Sequence, residues 1–183
     1  FTLDDFLFFG GFPGAARLVV DERRWRAYMR DSIIESTISN DVLEQEDVRK
    51  PALLRALFDL GARFSGQELS YNKMLGQLQG AGNTTTLAHY LTLLDKAGVL
   101  CGLKKYHPKA IERRESSPRL MVYDTALMMV VSGRSRELLL GDSELRGHLV
   151  KSAVGARLLA LEPDLGFDVQ WWREGNDEVD FVL

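Results

Sequence analysis

The chain has 183 residues, of which 45% are hydrophobic and 27% charged, and its formal net charge is −3 at pH 7. This composition is that of a globular protein, and the negative charge excludes a global basic field that would attract nucleic acid. No apolar run reaches the length of a membrane span and no signal peptide is recognisable, so we expect a cytoplasmic protein without a membrane partner. The single cysteine, Cys101, excludes an internal disulfide.

Residues 1–48 are predicted to be helical with one break. Gly10 and Gly11 end the first helix, because glycine readily adopts the backbone conformations found at helix ends. Pro13 starts the next segment, since its fixed φ suits the first helical turn. The apolar stripe of the following helix consists of Trp25, Tyr28, Met29 and Ile33 and continues towards Ile38 and Val42.

Residues 49–123 have the element order of a winged helix-turn-helix. Ser70 is expected to cap the second helix of this unit. The turn at 80–83, GAGN, is rich in residues that adopt positive φ. The third helix begins at the threonine run 84–86, whose hydroxyls are expected to cap it, and it ends at Gly98. Its buried stripe consists of Leu87, Tyr90, Leu91 and Leu94.

The third helix and the hairpin after it carry the candidate nucleic-acid contacts. Opposite the leucines, the third helix presents Thr85, His89, Thr92 and Lys96. A recognition helix would present such a face to a major groove, and the alternative is an ordinary solvated helix face. Strands at 99–106 and 119–123 form the predicted wing. Its cations are Lys104, Lys105, Lys109, Arg113, Arg114 and Arg119. These cations favour phosphate contact through counterion release, and the alternative is a solvated charged loop.

Residues 124–183 have a different pattern of predicted helices and strands. Asp124 is predicted to cap a helix, and a longer helix follows at 147–161. Two strands, FDVQWW and EVDFVL, are joined by the turn REGND. Strand alternation places Glu178 and Asp180 on one face, where two carboxylates have the chemistry to hold Mg²⁺. The alternative is an ordinary half-exposed strand.

Five segments occur along the chain in a characteristic order. They are FLFFGGFP, RDSIIESTISNDV, GNTTTLAHYLTLLDKAGVL, RLMVYDTAL and WWREGNDEVDFVL. This series resembles the C-terminal half of a class of prokaryotic AAA-type ATPases. In that class a P-loop ATPase core is followed by a helical lid, a winged helix and a C-terminal domain similar to the PD-(D/E)XK nuclease fold. The resemblance implies that Gly10, Gly11 and Pro13 match a nucleotide-sensing motif coupled to the lid, and that the ATPase core is not part of this chain.

The nuclease-like part departs from the pattern of active members. The resemblance places Lys151, four residues after Gly147, and Arg157 at positions where members carry acidic residues. It matches Asp180 to a metal-binding aspartate. A lysine in place of the acid would repel Mg²⁺. The strand that carries the (D/E)xK element would lie beyond Leu183, so we expect an incomplete and inactive nuclease-like region.

The sequence therefore predicts an α+β chain in three parts: a helical lid remnant at 1–48, a winged helix-turn-helix at 49–123 and a partial restriction-endonuclease-like α/β domain at 124–183. The expected function is that of a non-catalytic accessory region of a P-loop ATPase. It would bind DNA or a protein partner and couple this binding to the ATP cycle of the ATPase core. The alternatives are a metal-dependent nuclease region of a larger ATPase and a pure protein-interaction module. We expect no cofactor in this piece, with ATP and Mg²⁺ used by the full-length protein.

Overall fold

The computed structural model describes residues 1–44, 48–80, 82–107 and 117–183. The α-helices are α1 (Leu3–Phe9), α2 (Glu22–Tyr28), α3 (Pro51–Arg63), α4 (Tyr71–Gln77), α5 (Thr84–Lys96), α6 (Thr125–Ser132), α7 (Arg136–Gly141) and α8 (Ser143–Leu165). The described residues also contain a 3₁₀ segment (Pro13–Leu18) and two π-helical segments (Met29–Glu35 and Thr37–Leu43). The strands are β1 (Leu100–Lys105), β2 (Arg119–Val122), β3 (Gln170–Glu174) and β4 (Asp177–Val182). The predicted α+β class is confirmed.

The predicted helix break near the N-terminus is confirmed. Thr2 begins α1 with a reciprocal capping box that includes Asp5, and Gly10 ends the helix with a φ of 70°. Pro13 then opens the 3₁₀ segment. These local signals set the direction in which the chain leaves α1, because each fixes backbone dihedrals without help from distant residues.

The apolar stripe of the next segment follows a different period from the predicted one. Met29, Ile34, Ile38 and Val42 are buried, whereas Ile33 is only half-buried. The reason is that residues 29–43 form π-helical turns, whose hydrogen bonds span five residues instead of four. The wider turn moves the buried position from Ile33 to Ile34.

The segment from α3 to β2 corresponds to the predicted winged helix-turn-helix. Ser70 caps α4 as predicted, and Gly80, Gly82 and Gly98 all have positive φ. The cap of α5 differs from the prediction: the Asn83 side chain, not the threonine run, accepts from the Thr86 N–H at 2.8 Å. Asn83 is the last residue before α5 that has an extended backbone, which is the usual conformation of an N-cap residue.

The inward face of α5 is wider than predicted. Leu87, Tyr90, Leu91 and Leu94 are buried, and so is Leu93. Helix α3 also lies close to β1, since a Cβ on Gly61 would be 2.2 Å from a side-chain carbon of Leu100. A glycine at this position therefore lets the helix approach the strand.

The four strands form one sheet in the order β2-β1-β3-β4. Strands β1 and β2 are antiparallel, as predicted, with Leu100 opposite Val122. Strands β3 and β4 form the predicted antiparallel hairpin. Parallel pairing of Lys104 with Gln170 and of Lys105 with Trp171 joins the two hairpins. The sheet thus crosses the boundary predicted at residue 123.

Two apolar clusters lie in the interior. The larger one contains residues from α1, α2, the π segments, α3, α5 and α6. The smaller one lies under the sheet and consists of Cys101, Leu103, Met121, Leu159, Val169 and Trp171. Across the described ranges, no helix has the length and apolar character needed to cross a membrane.

Candidate nucleic-acid interface and charged junction

The face of α5 that sequence patterning assigned to nucleic acid points away from the core. Thr85, His89, Thr92 and Lys96 are all exposed. The Thr92 hydroxyl donates its hydrogen to the Ala88 carbonyl at 3.0 Å, so within this contact only its oxygen can still accept a hydrogen bond. The structure therefore brings the four predicted side chains together on one open face.

Two cations that the sequence analysis did not select lie beside this face. Arg49 and Lys50 line a pocket of about 520 Å³ together with Thr85 and His89. The Lys50 ammonium donates to the Gly80 carbonyl at 2.7 Å, which holds this lysine against the turn before α5. The signal in the sequence was a basic pair directly before the proline that opens α3.

The cations of the predicted wing have different surroundings. Lys104 is exposed, and it shares a small cleft with Asp95, Glu162 and Asp168. The Lys105 ammonium lies 5.5 Å from the centre of the Trp171 ring. Acidic neighbours therefore reduce the positive potential near Lys104. Lys109, Arg113 and Arg114 lie outside the described residues.

The same cleft contains two groups that stay protonated. Burial raises the pKa of the Cys101 thiol, and the negative charges of Asp95 and Glu162 add to the effect. Burial also raises the pKa of Tyr123, whose hydroxyl donates to Asp95 at 2.6 Å. Cys101 is therefore a buried, protonated thiol with little nucleophilic character.

The two carboxylates predicted to hold a metal do share one face, and both contact Arg119. Its guanidinium donates to Asp180 at 2.6 Å and to Glu178 at 2.5 Å. Arg119 is only 1% exposed, and its guanidinium carbon lies 4.6 Å from the centre of the Trp171 ring. A cation of β2, the return strand of the predicted wing, is therefore buried between β4 and an aromatic ring.

Two further cations contact the same carboxylates. The Lys151 ammonium lies 2.6 Å from Asp180 and 3.7 Å from Glu178. Arg173 contacts Glu178 directly and lies 3.5 Å from Glu68. These contacts form a network that we call the charged junction, made of Glu68, Arg119, Lys151, Arg173, Glu178 and Asp180.

The charged junction does not fit Mg²⁺. Glu178 and Asp180 face Arg119, Lys151 and Arg173, so three positive side chains lie where a cation would need oxygen ligands. In the described part of the chain, no group of three or more His, Cys, Asp or Glu side chains is placed to hold a metal ion. Partial burial opposes ionisation of Asp180, but Lys151 and the other hydrogen-bond partners outweigh it and lower the pKa of this carboxyl.

The glycine pair assigned to nucleotide sensing contacts the start of α6. The Gly11 N–H donates to Oδ2 of Asp124 at 2.8 Å, and the Ala126 N–H donates to Oδ1 of the same side chain at 2.8 Å. Asp124 is thus the predicted helix cap, and burial raises the pKa of its carboxyl although both hydrogen bonds act against the shift. A Cβ on Gly10 would lie 1.9 Å from Oδ1 of Asp124. This contact gives the pair a structural role, and nucleotide sensing by Gly10, Gly11 and Pro13 stays a prediction.

Comparison with protein families places most of the chain in a defined family. The model of the family described as Domain of unknown function (DUF8612) matches residues 1–138. The chain belongs to the DUF8612 family. No curated protein matches the chain, and no solved structure does.

The DUF8612 match covers the exposed face of α5 completely but the charged junction only in part. It includes α5, the Gly10–Asp124 contact and Arg119. It ends before Lys151, Arg173, Glu178 and Asp180, so most of the charged junction lies outside the matched region. The α5 face is accordingly the candidate site that lies wholly within DUF8612.

Proposed function

We propose that this DUF8612 chain is a non-catalytic accessory region of a P-loop ATPase that binds duplex DNA through a winged-helix unit. The unit consists of α3, α4, α5 and the β1–β2 hairpin. Helix α5 would be its recognition helix, since its apolar face packs inward and its polar face is open. The observation that carries the proposal is the position of Arg49 and Lys50 beside Thr85 and His89.

The arrangement supplies both kinds of contact that DNA binding needs. Arg49 and Lys50 would contact phosphates, which fix orientation without reading sequence. Thr85 and His89 would face base edges from the first turns of α5. The protein's net charge of −3 leaves this local group as the source of attraction.

A physical link supports coupling to a nucleotide cycle. Asp124 joins the Gly10–Gly11 connector to the first turn of α6, and α6 packs on α3 within the same apolar cluster. A displacement of the connector would therefore move an element that supports the proposed DNA-binding unit. ATP and Mg²⁺ would act in the ATPase core, since the charged junction does not suit a divalent cation.

Binding of duplex DNA as a function of salt concentration tests the proposal. The wild-type chain should bind with an affinity that falls as salt rises, because phosphate contacts release counterions. The double variant Arg49→Glu/Lys50→Glu should weaken binding and lower the magnitude of the salt slope by about 2. His89→Ala should weaken binding while leaving the slope unchanged.

The control is Arg24→Glu, an exposed charge reversal on α2 that lies outside the proposed interface. It should leave DNA affinity close to that of the wild type. Wild-type protein without salt-dependent DNA binding would refute the proposal, and so would an equal loss in Arg24→Glu.

A protein partner is the second candidate function, and one observation favours it. The predicted wing cation Lys104 shares its cleft with three acidic side chains, and α5 itself offers one lysine on its exposed face. A nearly neutral polar face suits a protein surface better than a phosphate backbone. This candidate becomes the favoured one if DNA binding is absent and substitution of His89 abolishes assembly with the ATPase core.

A further inference from the structure

A further cleft lies where α4 and α8 meet the two hairpins. Its volume is about 490 Å³, which is within the range of pockets that enclose small ligands. The side chains that could contact a ligand there are Ser70, Lys73, Ser117, His148, Lys151 and Arg173. Arg119, Glu68 and Glu178 of the charged junction also line it.

Among the described side chains at this cleft, the positive charges outnumber the negative ones. The charged junction contains three carboxylates and three cations, so its formal charges cancel. Lys73 is exposed and also lines the cleft, and in the described part of the chain no acidic side chain pairs with its ammonium. A ligand that enters would therefore meet a positive charge that is not compensated within these contacts.

The groups in the cleft are mainly hydrogen-bond donors. Lysine and arginine have no acceptor atoms, and the hydroxyls of Ser70 and Ser117 can donate as well as accept. The Ser70 oxygen already accepts from the Lys73 N–H at 3.3 Å, which leaves its own proton available. Such a set of donors matches an oxyanion, because phosphate oxygens accept several charge-assisted hydrogen bonds at once.

The backbone helps to keep the cleft open. Gly66 lines it with a φ of 81°, and a Cβ there would lie 3.3 Å from a side-chain carbon of Lys151. The Gly66 N–H is held by the Leu120 carbonyl at 2.8 Å, so this wall is fixed to β2. A larger residue would be strained at this positive φ and would press against the Lys151 side chain.

We propose that this cleft is a binding site for a phosphate group, carried by a small phosphate ester or by the end of a nucleic-acid strand. Lys73 would supply the uncompensated charge, and Arg173, His148 and Ser117 would supply further hydrogen bonds. The site is distinct from the α5 face and extends beyond the proposed function. The charged junction beneath it holds the donors in place instead of holding a metal.

Isothermal titration calorimetry at low salt tests the site with three probes: inorganic pyrophosphate, a short single-stranded oligonucleotide with a 5′-phosphate, and the same oligonucleotide without it. The wild-type chain should bind pyrophosphate or the phosphorylated oligonucleotide. Lys73→Glu should weaken this binding by about tenfold or more, since it removes a charge-assisted contact and adds repulsion. Glu68→Gln should tighten it, because it releases Arg173 from one of its carboxylate partners.

Arg24→Glu changes the net charge by the same amount as Lys73→Glu and serves as the matched control. Equal weakening by both variants would attribute binding to net charge and overturn the site. Absence of binding by all three probes, or equal binding of the two oligonucleotides with none of pyrophosphate, would also overturn it. Binding of pyrophosphate supports a small ester, whereas binding of the phosphorylated oligonucleotide alone supports a strand end. Each outcome is independent of duplex binding by α5.

Discussion

The helices from α1 to α6 surround one large apolar cluster, whereas the two hairpins meet over six buried apolar residues and a network of ion pairs. Apolar burial is non-directional and is not screened by ions, so it stabilises the helical region under most solution conditions. Ion pairs depend on geometry, on salt and on protonation. The two regions should therefore respond differently to the same changes of solvent.

The largest effect should come from the centre of the helical region. Trp25 is fully buried, and its ring centre lies 5.5 Å from that of Phe8 and 5.2 Å from that of Phe9. Trp25→Ala should lower the free energy of unfolding by about 4 kcal/mol, because it leaves a large cavity. Urea denaturation at low and high salt should give the same loss. Val20→Ala, at a residue that is 89% exposed, should change stability by no more than about 0.5 kcal/mol.

The next largest effect should come from the charged junction. Arg119→Ala should lower the free energy of unfolding by about 3 kcal/mol, since it removes a buried cation from two carboxylates. Arg119→Met keeps much of the side-chain volume over Trp171 and should cost less. The loss in Arg119→Ala should shrink at high salt, in contrast to that of Trp25→Ala. A loss in Arg119→Ala that does not change with salt and that Arg119→Met fully restores would mean that packing alone is responsible.

A polar contact inside the helical region provides a sharper comparison. Gly10→Ala should lower stability by about 2 kcal/mol, because alanine is strained at a φ of 70° and its Cβ would collide with Asp124. In an Asp124→Ala background the same substitution should cost less, since part of the collision is removed. A double-mutant cycle measured by thermal or urea unfolding gives the difference. Strict additivity would show that the two residues do not interact.

The smallest effect should be on the stability of the fold at low pH. The pKa of Asp180 is lower in the folded chain than its ordinary value of 3.8, so the ionised carboxylate stabilises the fold above that value. This stabilisation should be lost as pH falls from 3.8 towards the folded-state pKa. The contribution should be about 1 kcal/mol or less, because the Asp180 side chain is 41% exposed. Asp180→Asn should therefore flatten the acid limb of the stability curve, and an unchanged slope would contradict this account.

Much of the fold was predictable from local sequence signals. The leucine stripe of α5, the caps at Ser70 and Asp124 and the hairpin turn before β4 each depend on residues that are close together in the sequence. The errors were also local. Asn83 caps α5 in place of the threonines that follow it. The π-helical turns bury Ile34 in place of Ile33. The hydrophobic period of an α-helix differs from that of π-helical turns, so the second change could not be predicted from it.

The candidate sites were predictable only in part. The exposed face of α5 follows from the helical period, and the shared face of Glu178 and Asp180 follows from strand alternation. The cations that contact these carboxylates could not be predicted in the same way, since Arg119 is 59 residues from Glu178 along the chain. Lys73 gave no signal of its own, because nothing in the sequence indicates that α4 borders the same cleft as β3.

The sequence by itself determined most of the helices and strands and most of their apolar faces, because hydrophobic period and capping act over a few residues. The tertiary structure alone decided that the β1–β2 hairpin and the β3–β4 hairpin share one sheet, and that the two carboxylates of β4 lie against three cations from three different elements. That outcome depends on the packing of segments far apart in the chain. Ion pairs between residues so far apart in the chain leave no local pattern in the sequence that would predict them.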